Sequence, residues 1–379
     1  MLPRPGPSNP STALADNRRL VLNVLREAGE MTRTEIGEAS GLSPAATARI
    51  TDRLEAEKLI ARTEKTPSGG GRPAWRYQFT ATGRLLGGIR VQRDGARGAL
   101  LSWDGQILSR SQVLLDPATA TGEGILESAR ACTGLIEHEA TALGAHLAAL
   151  GVAVPAVADA EGRAGAGAEV GWHDVPLREE LAKLTQVPLL VENDANALAY
   201  SELTPGGHTA SLAGLILGHG LGAGLISDGH LLRGTHFAAG EIGYLITSRD
   251  VLSSPGGDIG DLELRIQRAA RSGPFATDAP AQLWTLMGQS SPAAMEATAE
   301  MLDYLAMAIA SLVVVVDPER VVIGDVPEDQ AQRVLDELAT RLRGHLLHEP
   351  TITTARRGPD AVLIGAALLA GELVDLQSI

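Results

Sequence analysis

Residues 189–198 read LLVENDANAL, and this short stretch decides the fold class of most of the chain. Strand-forming residues lead into a polar junction, and small helix-forming residues follow. A strand that passes directly into a helix is typical of α/β proteins. Within the junction Asp194 lies between two amides, Asn193 and Asn196. A carboxylate at such a place can serve an enzyme as a general base, or it can serve only to bind a ligand.

The same α/β pattern continues on both sides of this stretch. Short apolar runs predict strands, and longer stretches such as Gly124–Leu147 predict the helices between them. Asp104-Gly105 and Asp228-Gly229 lie between short apolar runs and predict hairpin turns. The predicted strands are Gly88–Val91, Ala99–Ser102, Leu150–Val154, Leu189–Glu192, Leu212–Leu217 and Val321–Ile323.

The bulk composition is that of a globular protein with more than one domain. The chain has 379 residues, 44% of them apolar and 21% charged, and this length predicts two or three domains. Cys132 is the only cysteine, which excludes an internal disulfide and a Cys-rich zinc site. Residues 1–10 lack the apolar core of a signal peptide, and the longest apolar run (305–316) is too short to span a bilayer. We expect a cytoplasmic protein with no membrane partner.

The net charge of −14 is distributed unevenly along the chain. Residues 1–80 carry 12 Lys and Arg against 9 Asp and Glu, a balance of +3. The remainder carries 20 against 37, a balance of −17. DNA phosphates would repel so acidic a body, so we expect any contact with nucleic acid to lie in the first eighty residues.

The pattern of residues 1–80 predicts a winged helix-turn-helix. A first helix opens near Asp16 and ends at Gly29, and a capping box formed by Thr32 and Glu35 starts the second. Ser43-Pro44 starts a third helix, in which Thr47, Ile50 and Leu54 face the core. A glycine-rich turn (68–71) and the alternating aromatic residues Trp75, Tyr77 and Phe79 form the wing.

The start of the third helix is where such a domain presents side chains to base edges. Three outward alanines suit thymine methyl groups, and an arginine can reach a guanine or a phosphate. The alternative is a three-helix interaction module without affinity for DNA. The predicted DNA-binding residues are Ser43, Ala45, Ala46, Ala48 and Arg49 on the helix, with Arg72 and Arg76 on the wing.

A glycine-rich stretch, GHGLGAG (218–224), invites comparison with dinucleotide-binding loops. That motif needs a helix after it, whereas the following residues (225–232) predict a strand, an Asp-Gly turn and another strand. The Rossmann interpretation is therefore excluded. Two alternatives remain, a turn whose backbone N–H groups approach a phosphate and a tight turn that needs small residues.

Seven motifs together resemble the ROK family, which unites sugar kinases and sugar-responsive repressors. The motifs are GVAVPAVADAEG (151–162), GWHDVPLREEL (171–181), VPLLVENDANAL (187–198), GHGLGAGLISDGHLLRG (218–234), AAGEIG (238–243), DPERVVIG (317–324) and LIGAALLA (363–370). The resemblance implies an α/β fold, with the winged helix-turn-helix followed by a two-lobed, actin-like (ribonuclease H-like) body. The expected domains are 1–80 for the winged helix, 81–195 for a small lobe completed by a C-terminal helix at 363–379, and 196–362 for a large lobe.

The resemblance also implies a set of residues that bind a sugar. Asp194 matches the family's catalytic base, and Asn193 matches a residue that bonds the sugar. Glu241 and Glu263 match two further carboxylates that accept bonds from sugar hydroxyls. The alternative for each carboxylate is that it caps a helix or lies in solvent.

The positions that bind nucleotide in the family's kinases are changed here. Arg90 and Gln92 stand at the Asp and the first Gly of the kinases' Asp-x-Gly-x-Thr hairpin, and His219 replaces a Thr in the second phosphate loop. Asp325 places an acid where the kinases have another Gly near the adenosine site. Phosphoryl transfer depends on positioning and charge neutralisation, so we expect no kinase activity. Asp194 is then an acceptor for a ligand, with no catalytic role.

The zinc site of the family is also missing. Tyr244 stands at the position of its His, and Ser254, Gly256 and Asp261 stand at those of its cysteines. We therefore predict no metal and no cofactor. Tyr244 can still donate a hydroxyl bond to the effector, although its length reshapes the pocket.

The sequence therefore predicts a DNA-binding transcriptional regulator that is not an enzyme. The family resemblance alone implies that it is a repressor. Its expected partners are a double-stranded DNA operator, a small carbohydrate-like effector and a second copy of itself, since paired winged helices fit a palindromic operator. Two alternatives stay open. The body no longer responds to sugar and answers to a protein partner or to none, or the chain is an active ATP-dependent sugar kinase.

Overall fold

The computed structural model describes residues 17–374 apart from 19, 23, 26–27, 57–58, 66–73, 80–83, 104, 166, 168, 204–210, 254–258, 273–274, 278–279 and 288–291. The strands are β1 Glu30–Thr32, β2 Ile60–Lys65, β3 Trp75–Phe79, β4 Arg84–Gln92, β5 Gly95–Leu101, β6 Ile107–Leu114, β7 His146–Val154, β8 Leu189–Asn193, β9 Ser211–Leu217, β10 Leu221–Ser227, β11 His230–Leu231, β12 Arg320–Ile323 and β13 Thr351–Thr354. The helices are α1 Arg33–Ser40, α2 Pro44–Ala56, α3 Gly122–Ala142, α4 Leu177–Ala182, α5 Asp194–Ser201, α6 Asp261–Ala270, α7 Leu283–Leu286, α8 Pro292–Val316, α9 Ala331–Leu342 and α10 Ala361–Gly371.

The amino-terminal domain is a winged helix-turn-helix. Its sheet has the order β1-β3-β2, with α1 and α2 packed beside it. The capping box is present at α1, where the Thr32 Oγ1 accepts from the Glu35 N–H and the Glu35 carboxylate accepts from the Thr32 N–H. Ile50, Leu54 and Tyr77 are buried in the domain core.

The body contains two five-stranded sheets of the same design. The first has the order β6-β5-β4-β7-β8 and the second the order β11-β10-β9-β12-β13. In each sheet the first three strands along the chain are antiparallel, and the last two run parallel to the first. This repetition confirms the expected two-lobed, actin-like (ribonuclease H-like) architecture.

Two helices cross between the sheets and join the lobes. α10 packs on the first sheet, and α5 packs on the second and against α10. Gly365 makes the crossing possible, since a Cβ there would lie 1.8 Å from the carbonyl oxygen of Ala197. The close approach of α5 and α10 holds the two sheets side by side.

The division of the chain at residues 80 and 195 remains a proposal. The first sheet of the body runs from Arg84 to Asn193 and the second from Ser211 to Thr354. α10 covers the first sheet and ends at Gly371, whereas the proposed division extends this helix over 363–379, of which 375–379 lie outside the described residues.

Two helices differ in detail from the sequence prediction. The helix predicted at Gly124–Leu147 ends at Ala142, because Gly144 takes the left-handed conformation (φ 65°) and β7 begins at His146. α8 has the length and hydropathy of a membrane-spanning helix, but 44% of its apolar window is buried inside the protein. Met301, Leu305 and Ile309 place it in the core of the large lobe.

Candidate functional site

The candidate site lies where the carboxyl ends of the parallel strands of both lobes meet. Asp194 follows β8 directly, and Arg90 lies near the end of β4 in the same sheet. Asp325 follows β12 in the other sheet and comes within bonding distance of Arg90. Crevices at the carboxyl ends of parallel strands are where α/β proteins place their ligands.

Asn193 caps the amino terminus of α5. Its Oδ1 accepts from the N–H groups of Ala195 (2.9 Å) and Asn196 (3.2 Å), and its Nδ2 donates to the carbonyl of Ala156. These bonds use both acceptor positions of the amide and leave one N–H for a ligand. Asn193 therefore acts as a helix cap. Helix capping is also the alternative role that the sequence left open for the carboxylates of the site.

Buried Glu192 fixes the same corner. Its carboxylate accepts from the Asn193 N–H, from the Asn196 Nδ2 and from Arg233, whose Nη2 lies 2.7 Å away. Arg233 follows β11, and its carbonyl accepts from the Ala239 N–H just before Glu241. The pair therefore ties the Asn193–Asp194 corner to the loop that carries Glu241, a link that sequence reasoning missed.

The Asp194 carboxyl is surrounded by charged groups of both signs. Burial raises its pKa to about 7, the nearby Arg90 lowers it, and Glu169 and Asp325 raise it. One oxygen accepts from the Ala195 N–H at 2.8 Å. The Asp194 carboxyl therefore changes between its protonated and ionised forms near neutral pH, so its strength as a hydrogen-bond acceptor depends on pH.

Arg90 and Asp325 form an ion pair between the lobes. Nη1 and Nη2 of Arg90 donate to the two oxygens of Asp325 at 2.8 and 2.5 Å. The arginine side chain is only 8% exposed and the aspartate 21%. The sequence singled out both residues as departures from the kinases but did not indicate that they pair, because 235 positions separate them.

Glu241 and Glu263 converge on the glycine-rich turn between β9 and β10. A Cβ on Gly220 would lie 2.9 Å from the Glu263 Oε2, and Gly240 (φ 91°) brings Glu241 to the side of β10. Burial raises the pKa of both carboxyls, and that of Glu263 is raised further by the charge of Glu241. Among the two interpretations of the turn, the contact with Glu263 favours a tight turn, because a phosphate would meet a carboxylate there.

Glu169 joins the two parts of the site, and sequence reasoning missed it. A Cβ on Gly218 would lie 3.4 Å from its Oε2. Its charge acts on Asp194, on Arg90 and on Glu263, so it lies near all three. The signal in the sequence was a lone acid in a run of small residues, which has no periodicity to mark it.

The loop that carries zinc in the family is held differently here. Tyr244 lies in a short 3-10 helix (Ile242–Tyr244) and is 54% exposed, so most of its side chain faces solvent. Asp261 accepts from the N–H and the hydroxyl of Thr247 and pairs with Arg265. Ser254 and Gly256 lie outside the described residues. Within the part of the chain that the structure describes, no three His, Cys, Asp or Glu side chains are grouped to hold a metal ion.

The predicted DNA contacts are distributed over α2 and the wing. Arg49 and Ala45 are exposed at the start of α2, and Ala46 and Ala48 are partly exposed. Ser43 caps the helix through a bond from the Ala46 N–H. The guanidinium of Arg76 donates to the carbonyl of Glu30 and lies 3.7 Å from the Glu35 carboxylate, so contacts within the domain occupy it. Arg72 lies outside the described residues.

Two family profiles match this chain. Residues 86–372 match the ROK family, and residues 14–61 match a winged helix-turn-helix DNA-binding domain. The chain is 26% identical over 334 residues to the xylose repressor of Caldicellulosiruptor bescii, an alignment that covers 82% of each protein. It is 31% identical over 218 residues to the N-acetyl-D-glucosamine kinase of Yersinia pseudotuberculosis, which covers 51% of this chain and 70% of the kinase.

A solved structure with the same domain arrangement covers the chain almost completely. It is a ROK family transcriptional regulator described as a homologue of the MLC protein of E. coli, with a TM-score of 0.76 and 21% identity. The superposition covers 97% of this chain and 98% of that one. The winged helix and both lobes therefore share its fold.

Proposed function

The chain belongs to the ROK family, and from this premise we propose that it is a DNA-binding transcriptional repressor whose body binds a sugar-like effector without phosphorylating it. We further propose that it acts in the cytoplasm as a homodimer on a double-stranded operator. A xylose repressor among its relatives supports the regulatory role.

The observation that carries the proposal is the winged helix in front of the body. The first turns of α2 expose Ala45 and Arg49, the residue types that contact thymine methyl groups and guanine. Thr47, Ile50 and Leu54 on the opposite face are buried, so the outward face is free of a core role. A sugar kinase has no need of such a domain.

The acidic cleft supports a carbohydrate-like effector. Asp194, Glu241 and Glu263 offer carboxylate oxygens, and Asn193 keeps one amide N–H. Sugars present many hydroxyl donors, which carboxylates accept in charge-assisted bonds. The exposure of Tyr244 argues that this residue takes at most a peripheral part in binding.

The absence of phosphoryl transfer is supported by the groups that occupy the nucleotide positions. Arg90 is neutralised by Asp325 and cannot coordinate Mg²⁺. Gln92 and Asp94, at the hairpin after β4, both accept from Arg97. Side chains thus fill the hairpin that holds phosphate groups in the kinases.

The test begins with DNA selected from a random pool by the purified full-length protein. Fluorescence anisotropy then measures affinity for the selected site with and without a panel of neutral sugars. We expect Arg49→Ala to weaken binding and to relax discrimination at one base step by about 1–3 kcal/mol if Arg49 contacts a base. Arg268→Ala removes an exposed arginine from the acidic body and should leave the affinity unchanged.

Each alternative has its own outcome in this experiment. Selection of no sequence contradicts the DNA-binding proposal. Operator binding that no sugar changes, together with an absence of binding heat in calorimetry, favours a regulator that has lost its sugar response. Transfer of phosphate from ATP to a hexose that Asp194→Asn abolishes favours the kinase.

A further inference from the structure

The guanidinium of Arg90 has one donor edge that the ion pair does not use. Its two Nη atoms point at Asp325, while its Nε is buried and has no hydrogen-bond partner among the residues that the structure describes. Buried N–H groups almost always have a partner, so a donor of this kind points to an acceptor that the described residues do not supply. The charges of Asp194 and Glu169 also act on Arg90, as do those of Asp94 and Arg97 in the hairpin after β4.

The strand register places Arg90 close to the proposed effector site. Arg90 lies on β4, paired in register with Ala153 of β7, and Asn193 is in register with Val154 of the same strand. Arg90 therefore starts one register position before the strand end that carries Asn193, and the charge of Asp194 acts on its guanidinium. Carboxylates supply most of the polar groups of this site, so a fixed guanidinium donor complements them with a bond to a ligand oxygen.

Asp325 is held in place by the other lobe. It follows β12 and Gly324, whose N–H donates to the carbonyl of Leu215 in β9. Its backbone takes the left-handed conformation (φ 58°), which aspartate and asparagine tolerate better than most residues. Arg90 can satisfy Asp325 only when the two sheets are as close as they are in this structure.

We propose that Arg90 contacts the effector through its Nε–H, and that its ion pair with Asp325 makes effector binding favour the closed arrangement of the lobes. This inference rests on the proposed function, since it concerns the same cleft. An effector oxygen that accepts from Nε holds the guanidinium in the orientation in which its Nη atoms meet Asp325. The ligand then binds the closed state more tightly than the open state, which is the condition for any ligand-driven shift.

The first arm of the test needs no effector. Spin labels on Ala118→Cys in the first lobe and Glu328→Cys, three residues after Asp325 in the second, are both at exposed positions and report the distance between the lobes in the full-length protein. Cys132 is fully buried and stays unlabelled. We expect Asp325→Asn to lengthen or broaden the distance distribution, because it removes the charge and keeps the side-chain size. An unchanged distribution would overturn the closing role of the pair.

A matched control separates this effect from backbone strain. Asp317 is also an aspartate in the left-handed conformation (φ 49°), is exposed, and lies in the same lobe away from Arg90. Asp317→Asn should leave the distance distribution as in the wild type. An equal change in both variants would assign the effect to the loop backbone and contradict the proposal.

The second arm measures the affinity for a sugar that binds the wild type. We expect Asp325→Asn and Arg90→Lys each to weaken that affinity about tenfold, the loss typical of one bond to a charged group. Lysine keeps the charge but lacks the Nε–H and the forked geometry. Unchanged affinity in both variants refutes the contact while leaving the repressor proposal intact. If no sugar binds the wild type, the effector proposal and the contact both fail, and the distance measurement still decides whether the pair closes the cleft.

Discussion

At the scale of single residues, the site is defined by an excess of carboxylates over cations. Asp194, Glu169 and Asp325 surround Arg90, and Glu241 and Glu263 lie on the far side of Glu169. Arg90 is already committed to Asp325. The remaining field is therefore negative and favours ligands that donate hydrogen bonds.

Effector binding should strengthen as the pH rises through 7. Burial holds the pKa of Asp194 at about 7, so below that pH its carboxyl is protonated and is a weaker acceptor for a sugar hydroxyl. Because the ionised fraction falls about tenfold per pH unit below the pKa, affinity should rise about tenfold between pH 6 and 8. Calorimetry across this range checks it, and Asp194→Asn should flatten the profile. A wild-type profile that is already flat, in protein that remains folded, would contradict the assignment.

Phosphorylated sugars should bind more weakly than the neutral sugars from which they derive. The carboxylate of Glu169 faces the glycine turn at Gly218, and the carboxylate of Glu263 lies against Gly220 of the same turn. We expect a sugar 6-phosphate to bind at least about tenfold more weakly than its parent sugar, and Glu169→Gln to narrow that difference by removing one charge. Competitive titration of each sugar against its 6-phosphate measures the difference in affinity. Tighter binding of the phosphate by the wild type would rule out the charge argument.

At the scale of elements, α5 and α10 connect the proposed effector site to the packing of the lobes. The amino terminus of α5 carries Asn193 and Asp194, and its middle lies against α10 at Gly365. The sheets approach the same helices closely, since a Cβ on Gly151 of β7 would lie 1.9 Å from the carbonyl oxygen of Ala366. A change at the crossing therefore alters both stability and the geometry of the site.

Gly365→Ala should destabilise the protein. The added methyl group would lie 1.8 Å from the Ala197 carbonyl oxygen, so α5 and α10 must separate. Overpacking of this kind costs about 1–3 kcal/mol of unfolding free energy. Chemical denaturation of the full-length protein measures it.

Gly134→Ala provides the control for this helix substitution. Gly134 is exposed on α3, and a Cβ there would have no neighbouring atom within 4 Å. Alanine should therefore raise stability by about 0.5–1 kcal/mol, since it has the higher helix propensity. Equal effects of the two substitutions would show that the crossing at Gly365 is not tightly packed.

At the scale of the whole molecule, the amino-terminal domain and the body differ in both net charge and fold. Residues 1–80 carry a balance of +3 and the remainder −17, so DNA attracts the winged helix and repels the body. The body is thereby kept away from the duplex. In the proposed dimer, movement of the lobes would reach DNA by changing the positions of the two winged helices relative to each other.

Operator binding should depend on the spacing of two half-sites. We expect a dimer to bind half-sites about one helical turn apart, so inserting about five base pairs between them should weaken binding strongly by turning one half-site away. Inserting about ten base pairs returns both half-sites to the same face of the duplex and should recover part of the affinity. Gel-shift titrations with these three spacings measure it. Equal affinity for all three would indicate that each winged helix binds alone.

The sequence by itself determined the α/β body and the winged helix, and it predicted the loss of the kinase phosphate contacts and the effector role of Asn193, Asp194, Glu241 and Glu263. These features depend on local periodicity, on capping and turn residues, and on motif order, all of which can be read along the chain. Only the tertiary structure decided that Arg90 meets Asp325, that Glu169 lies beside Asp194, and that Tyr244 faces solvent. The reason is that such contacts join residues far apart in sequence, or residues in irregular loops, and depend on how two sheets and two crossing helices pack.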